Sequence, residues 1–239
     1  RKYLLDIEKR LMQFHACLTL PYWDWTMDSG DEENAHVWDE MYLGLPNNTH
    51  LGQFSSGWTL PPGFGVFGRG GSSSLTMGDE IAINNILTIN DFTTFRIALE
   101  GSVHGIPHVY IGGQMGSFRS PADPFFWMHH AMIDKIWYEW QYQNGGANIN
   151  SYDSLLSASI SPQWLEMVSD VMDSKNDLGI CYQNPSKFPW WDIIKELDSS
   201  HLLKISRSLP DFLVFNSKRF LQEVQLNECD SNCKIKLPD

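Results

Sequence analysis

Long apolar runs are missing from this sequence. No stretch of about 18 consecutive hydrophobic residues occurs, so no segment is expected to cross a bilayer as a helix. Cationic residues are in short supply as well: 17 Lys and Arg stand against 29 Asp and Glu, a formal net charge of −12. That balance speaks against nucleic acid or an anionic membrane surface as the main partner. Cysteine is limited to Cys17, Cys181, Cys229 and Cys233, an even number that permits more than one pairing if oxidised. The last two form a C-x3-C pair with no evident source of two further ligands, so disulfides are favoured over zinc. There is no internal repeat, and strand-like alternation is scarce after residue 142.

Aromatic side chains are abundant instead. Of 239 residues, 42% are hydrophobic and 13% aromatic, with 10 Trp and 13 Phe, the composition of one globular domain with a sizeable core. The chain opens mid-pattern on Arg1-Lys2-Tyr3-Leu4-Leu5, without Met or leader, as a processed or truncated piece would. Asn47-Asn48-Thr49 is an acceptor sequence for N-glycosylation in a Pro/Gly-rich loop, whereas Asn184-Pro185-Ser186 is disqualified by its proline. Acceptor and even cysteine number together point to a secreted protein.

Apolar spacing predicts a mainly helical chain. Leu4, Leu5, Glu8, Leu11, Met12 and His15 share one helical face over residues 1–15. A long Gly-, Pro- and Ser-rich loop follows from Met27 to about Gly78, a length tied to function in compact domains. Weak helical pattern spans 78–88. A stronger helix starts at the N-cap Asp91 and runs through Phe92, Phe95 and Leu99 to His104. Gly112-Gly113 breaks the chain, and Ser120-Pro121-Ala122-Asp123-Pro124 starts a third helix that Asn144-Gly145-Gly146 ends. Beyond it the pattern predicts a helix around 162–173, an aromatic knot at Phe188-Pro189-Trp190-Trp191 and one more helix near 217–225.

Four of the eight histidines fall within 27 residues. His104 and His108 are four apart and share a helix face. His129 and His130 point about 100° apart on the next helix, so only one of them can face that pair. Three neutral imidazoles in one cavity suit copper or zinc and leave a coordination position open. Taken alone, an H-x3-H pair is more often two satisfied interior histidines.

The surrounding residues carry a resemblance. Asp123-Pro124-Phe125-Phe126-Trp127-Met128-His129-His130-Ala131-Met132-Ile133-Asp134 resembles the D-P-x-F signature around one copper ligand of the type 3 copper proteins of the tyrosinase family, shared with molluscan haemocyanins. Phe95-x3-Leu99-Glu100-Gly101-x2-His104-x3-His108, followed by Gly112-Gly113-x-Met115, is similar to the segment that holds two more ligands. Pro21-Tyr22-Trp23-Asp24-Trp25 and Trp137-x2-Trp140-Gln141 also match, so the likeness covers residues 1 to about 142. It implies a tyrosinase-like helical bundle, here partial, with long loops and a C-terminal extension: residues 1–145 carry the second copper site, and 146–239 form the remainder.

Aligned on the signature, the copper ligands are His104, His108 and His130. The resemblance places Phe126 against a ligand imidazole as a wall of the substrate pocket, with Gly105 and Val109 also in that pocket. It places Asp134 and His129 behind the ligands, Asp134 either receiving a histidine N–H or pairing with a base. Glu100 becomes a candidate general base for a phenol, as a buried carboxylate near the site. Each of these has a plainer role available, as core packing or a solvated helix charge. Gly105 stands where efficient monophenol hydroxylators often carry Asn, which leans the reading towards o-diphenols. Pro107 is expected to end or kink the helix and leave His108 just beyond it. His15, His36 and His50 match no ligand position.

Arg1-x2-Leu4-x3-Glu8 matches the end of the family's first-copper motif, whose three histidines lie upstream. The implied activity is oxidation of phenols or o-diphenols to o-quinones by dioxygen, with copper as cofactor and the missing half supplied from the same protein or a companion piece. The alternatives are a haemocyanin-like oxygen carrier and a secreted structural or storage protein with half a site. The scarcity of strands after residue 142 speaks against the carrier, which adds a β-sandwich.

Overall fold

The structure, a computed structural model, describes residues 1–13, 19–38, 43–44, 60, 62–162, 164–183 and 233–235. Local signals set most of its helices. Helix α1 (Lys2–Met12) buries Leu4, Leu5, Glu8 and Leu11 on one face. The buried Glu8 carboxylate accepts from the Leu20 N–H at 2.8 Å and the Thr19 hydroxyl at 3.0 Å, tying the following segment back onto the helix. Asp79 caps α2 (Glu80–Leu87) by accepting from Ala82 N–H, and Asp91 caps α3 (Phe92–Leu99) through Thr94 N–H, each at 2.8 Å. Such caps are worth about 1 kcal/mol each.

Leu99 leads directly into one wide π turn, Glu100–His104, and then into α4 (Gly105–Ile111). The expected break at Pro107 is absent, and His108 lies inside α4. The wide turn sets Pro107 in the first turn of α4, where the helix does not need its missing N–H. Gly112 (φ 64°) and Gly113 (φ 53°) then reverse the chain. Helix α5 (Pro124–Gly146) starts on the Asp123 cap with proline in its first turn. It loses helical geometry at Gln143, and Asn144 and Gly145 take positive φ, which is the stop expected at this place.

The core is aromatic: Tyr22, Trp25, Phe95, Phe125 and Trp140 are fully buried with Ile111 and Ile136. Phe95 stacks on Trp140 with centroids 4.5 Å apart and a 17° tilt, pinning α3 to α5. The predicted helix at 162–173 is not formed, and only Val168–Val171 makes a short 3-10 turn. Its chain is turned back on itself, with Ile160 N–H donating to the Glu166 carbonyl and Val168 N–H to the Ala158 carbonyl. Leu165 is left fully exposed, while Val168, Val171 and Met172 are buried without an α-helix.

Two three-residue strands, β1 (Cys181–Gln183) and β2 (Cys233–Ile235), pair in parallel with Cys181 opposite Cys233. The mainly helical expectation holds among the described residues. None of their helices is long and apolar enough to cross a membrane. Cys17, Cys229, Asn47, His15, His50, the aromatic knot at 188–191 and the predicted helix near 217–225 lie outside them.

Candidate metal centre

The π turn, α4 and α5 bring four histidines together. One ring nitrogen from each of His104, His108, His129 and His130 lies within 4.8 Å of the others, and among the described residues this is the only such group of potential ligands. Ring centroids are 4.9 Å apart for His104 and His108, 5.1 Å for His104 and His130, and 5.4 Å for His108 and His130.

Hydrogen bonds set His129 apart from His108. Trp25 Nε1 lies 3.2 Å from His129 Nδ1, and an indole nitrogen only donates. His129 Nδ1 is therefore the acceptor, and the proton of the neutral ring sits on Nε2, 3.0 Å from the His104 carbonyl. Both nitrogens of this wholly buried ring are occupied within the protein. His108 is set the other way round: its Nδ1 lies 2.7 Å from the Met115 carbonyl, which only accepts. Nδ1 carries the proton there, and Nε2 offers its lone pair 3.3 Å from His130 Nε2.

Burial keeps these rings neutral. Desolvation, reinforced by the neighbouring His108, lowers the pKa of His104, while a bond to the Glu100 carbonyl and the Glu100 charge pull the other way. His108 is lowered by burial against the opposing bond to Met115. His130 is pushed down to about 3 by burial and then by His104 and His108. His129, fully buried among the other three, lies well below the ordinary value. Three unprotonated imidazoles with converging nitrogens fit a copper-class ion. Two imidazole nitrogens on one ion at ~2.0–2.1 Å stand roughly 3.3 Å apart at a tetrahedral angle, and His108 and His130 stand at that spacing.

A cavity of about 380 Å³ opens beside the centre, walled by Phe95, Leu99, Phe126 and Trp137 and reaching His104 and His130. The Phe126 ring lies 4.2 Å from that of His130. Glu100 sits on the rim, not in the interior: its side chain is 66% exposed and bonded to Arg96 at 3.3 Å. The expectation of a buried carboxylate is corrected, because the π turn carries this residue to the outside of the helix. Gly105 and Val109 are not in the walls of this cavity, and Val109 is 51% exposed. Asp134 pairs with a base and not with a histidine, accepting from Arg1 Nε at 2.8 Å and from the Tyr182 hydroxyl. His36 begins a short 3-10 turn.

The sequence reading gave no role to Trp25, to the Met115 carbonyl or to Tyr182. Trp25 and Met115 lie in stretches that it singled out, but the acceptor or donor each one meets is distant along the chain or on the backbone.

Fold and site together define a helical protein with a cluster of four histidines, on two helical segments, that could hold a metal ion. Residues 70–143 match the family described as the common central domain of tyrosinase. The chain is 33% identical to a tyrosinase of Streptomyces glaucescens, over 62% of each protein. It is 32% identical to a tyrosinase of Streptomyces antibioticus, over 64% of this chain and 67% of that one. A haemocyanin of Enteroctopus dofleini (A-type, units Ode to Odg) is 28% identical over 59% of this chain and 12% of its own length. The chain belongs to the tyrosinase family. It spans 62% of the length of the Streptomyces glaucescens protein.

Proposed function

We propose that His104, His108 and His130 hold one copper ion, and that the protein oxidises phenols or o-diphenols to o-quinones with dioxygen. The observation that carries the reading is the hydrogen bonding that sets His129 apart within the histidine cluster. His108 turns its Nε2 lone pair towards His130 Nε2 and a ring nitrogen of His104 lies within 4.8 Å of both, while both nitrogens of His129 are occupied by Trp25 and the His104 carbonyl. Bound copper supplies the electron transfer between phenol and dioxygen.

The chain's own residues shape the rest. The Met115 carbonyl holds the His108 ring in the tautomer that frees Nε2. The aromatic and aliphatic walls of the cavity, Phe126 foremost, receive a flat ring and exclude water beside His104 and His130. Glu100, exposed on the rim, stands where it can take a proton from a phenol at the cavity mouth. Two diphenols give up four electrons and four protons for each dioxygen reduced to water. Because Arg1-x2-Leu4-x3-Glu8 resembles the end of the family's first-copper motif, we assign the other copper ion to a companion segment carrying that motif's three histidines.

The test is copper content per chain after loading and gel filtration. Wild type should retain one ion, His130→Ala should lose it, and His129→Ala should retain it with affinity weakened by roughly 10–100-fold, the usual cost of removing an outer support. Equal loss from both substitutions would overturn the assignment. Catechol turnover on complementation with the first-copper segment supports the oxidase reading, and reversible dioxygen binding without turnover would replace it by an oxygen carrier.

A further inference from the structure

The stretch from Val66 to Ser72 contributes nothing to the ligand set, yet it touches both segments that do. Its backbone grips the end of α4. Gly70 N–H and Gly71 N–H donate to the Ile111 carbonyl at 3.0 and 3.1 Å, and Ser72 N–H donates to the Val109 carbonyl at 3.2 Å. Gln114 N–H donates to the Gly68 carbonyl at 3.2 Å, and the Gln114 side chain bonds Gly68 N–H and the Val66 carbonyl in return. The approach is too close for any side chain. A Cβ on Gly113 would lie 1.7 Å from the Gly68 carbonyl oxygen, and one on Gly71 2.1 Å from that of Val109. This strap therefore moves with α4 and with the turn that presents the Met115 carbonyl to His108.

The Arg69 side chain runs from the same strap to the other helix. Its Nε and Nη2 donate to the two Asp123 oxygens at 2.7 and 2.9 Å, and its Nη1 donates to the Leu43 and Gly44 carbonyls at 2.6 and 3.1 Å. Asp123 in turn caps α5 through Phe125 N–H at 3.0 Å, two turns before His130. The guanidinium lies over the Phe125 ring at 4.8 Å. Both side chains are almost wholly out of water, at 2% and 0% exposure.

We propose that Arg69 is a positioning residue for the metal centre: one guanidinium locks the start of α5 to the strap clamped on α4, and so fixes the spacing of His130 and His108. A buried ion pair is poor value as a source of stability, because desolvating two charges cancels most of their attraction. What a two-pronged guanidinium–carboxylate contact supplies is direction, since the planar fork meets both oxygens at one relative orientation. Lysine keeps the charge but not the fork.

The inference rests on the copper reading, and its test separates the two. Cu(II) affinity and the Cu(II) electron paramagnetic resonance spectrum are recorded for wild type, Arg69→Lys, Arg69→Met and, as a control for lost stability, Ile83→Ala in the core beneath α2. Arg69→Met should bind copper roughly 10–100-fold more weakly, the range for residues that orient ligands, with a changed spectrum; Arg69→Lys should restore little of it. Ile83→Ala should lower the unfolding temperature and leave affinity and spectrum at the wild-type values. Should wild type bind no copper, the copper reading falls, and ring-nitrogen NMR of the metal-free protein decides instead: the His108 and His130 signals must shift in both Arg69 variants and stay put in Ile83→Ala. Unchanged spectra in folded Arg69 variants overturn the proposal. So does failure of both variants to fold, which would make Arg69 a support of the whole fold.

Discussion

At the scale of single residues, the position that decides most is Trp25. Its N–H reaches a ring 104 residues further along the chain and, being a donor only, dictates which nitrogen of His129 carries the proton. The same bond distinguishes the adjacent histidines on α5, since it helps to engage both nitrogens of His129 within the protein. Gly105 is the other informative residue. An added Cβ there meets nothing within 4 Å, and its φ of −71° suits any residue, so Gly105→Asn should fold without strain. If a water held between this position and Glu100 assists phenol deprotonation, the substitution should raise the ratio of monophenol to diphenol turnover. General-base assistance is worth on the order of 10²–10⁴ in rate, which makes even a partial gain readable in steady-state assays with the copper-loaded, complemented protein. An unchanged ratio would show that the preference is set elsewhere, a live outcome given how exposed Glu100 is.

Among the elements, α5 bears the most, because a single carboxylate both starts it and orients it. Asp123 accepts from Phe125 N–H and from both prongs of Arg69. Asp123→Ala removes the cap and leaves a buried guanidinium without its partner. The expected loss is about 3–5 kcal/mol, the range for breaking a buried pair from one side, with the lost cap worth about 1 kcal/mol of it. Urea unfolding followed by circular dichroism should show the midpoint falling with an unchanged slope. A loss below about 1 kcal/mol would mean that water reaches Arg69 in solution. The π turn between α3 and α4 is the second element with a task. It admits Pro107 without a break, and it leaves the His104 carbonyl bonded to His129 Nε2, so the irregular turn is tied to α5 at the histidine cluster.

Across the whole molecule, residues far apart in the sequence meet at Asp134. Arg1 and Tyr182 both bond its carboxylate, and Arg1 also reaches Gln141 and the Met172 carbonyl while lying 3.9 Å from the centre of the Trp137 ring. Burial alone would raise the Asp134 pKa; the Arg1 charge and these bonds outweigh it and set the value below 3.8. A depressed carboxylate contributes stability above its unfolded value, and that stability is lost as pH falls through the folded one. For Tyr182, burial and then the Asp134 charge hold the pKa well above 10.0. Its contribution is present below that value and lost as pH rises beyond it. Urea midpoints measured against pH should therefore fall on both limbs. Asp134→Asn should flatten the acid limb below about pH 4, and Tyr182→Phe the alkaline one. An acid limb unchanged in Asp134→Asn would assign it to other carboxylates.

Helix starts were legible in the amino-acid sequence because caps act between near neighbours: Asp91 and Asp123 meet N–H groups two or three residues away, and Asn144-Gly145 stops α5 by its own backbone preference. The pairing of His104 with His108 was legible from helix spacing, but the expectation that only one of His129 and His130 faces that pair is corrected: a ring nitrogen of each of the four lies within 4.8 Å of the others. Choosing His130 over His129 from sequence needed the resemblance. The physical ground for that choice is a bond between residues 25 and 129, which no local rule encodes. Arg69 read as part of a glycine-rich loop, and its carboxylate partner lies 54 residues away. The outward turn of Glu100, the tolerance of Pro107 and the failure of a helix at 162–173 were decided the same way, by what the rest of the chain packs against them. Local chemistry determined where the helices begin and end and which rings could share a centre. Tertiary contacts decided which nitrogens are free, because a lone pair is available only where no distant partner has taken it.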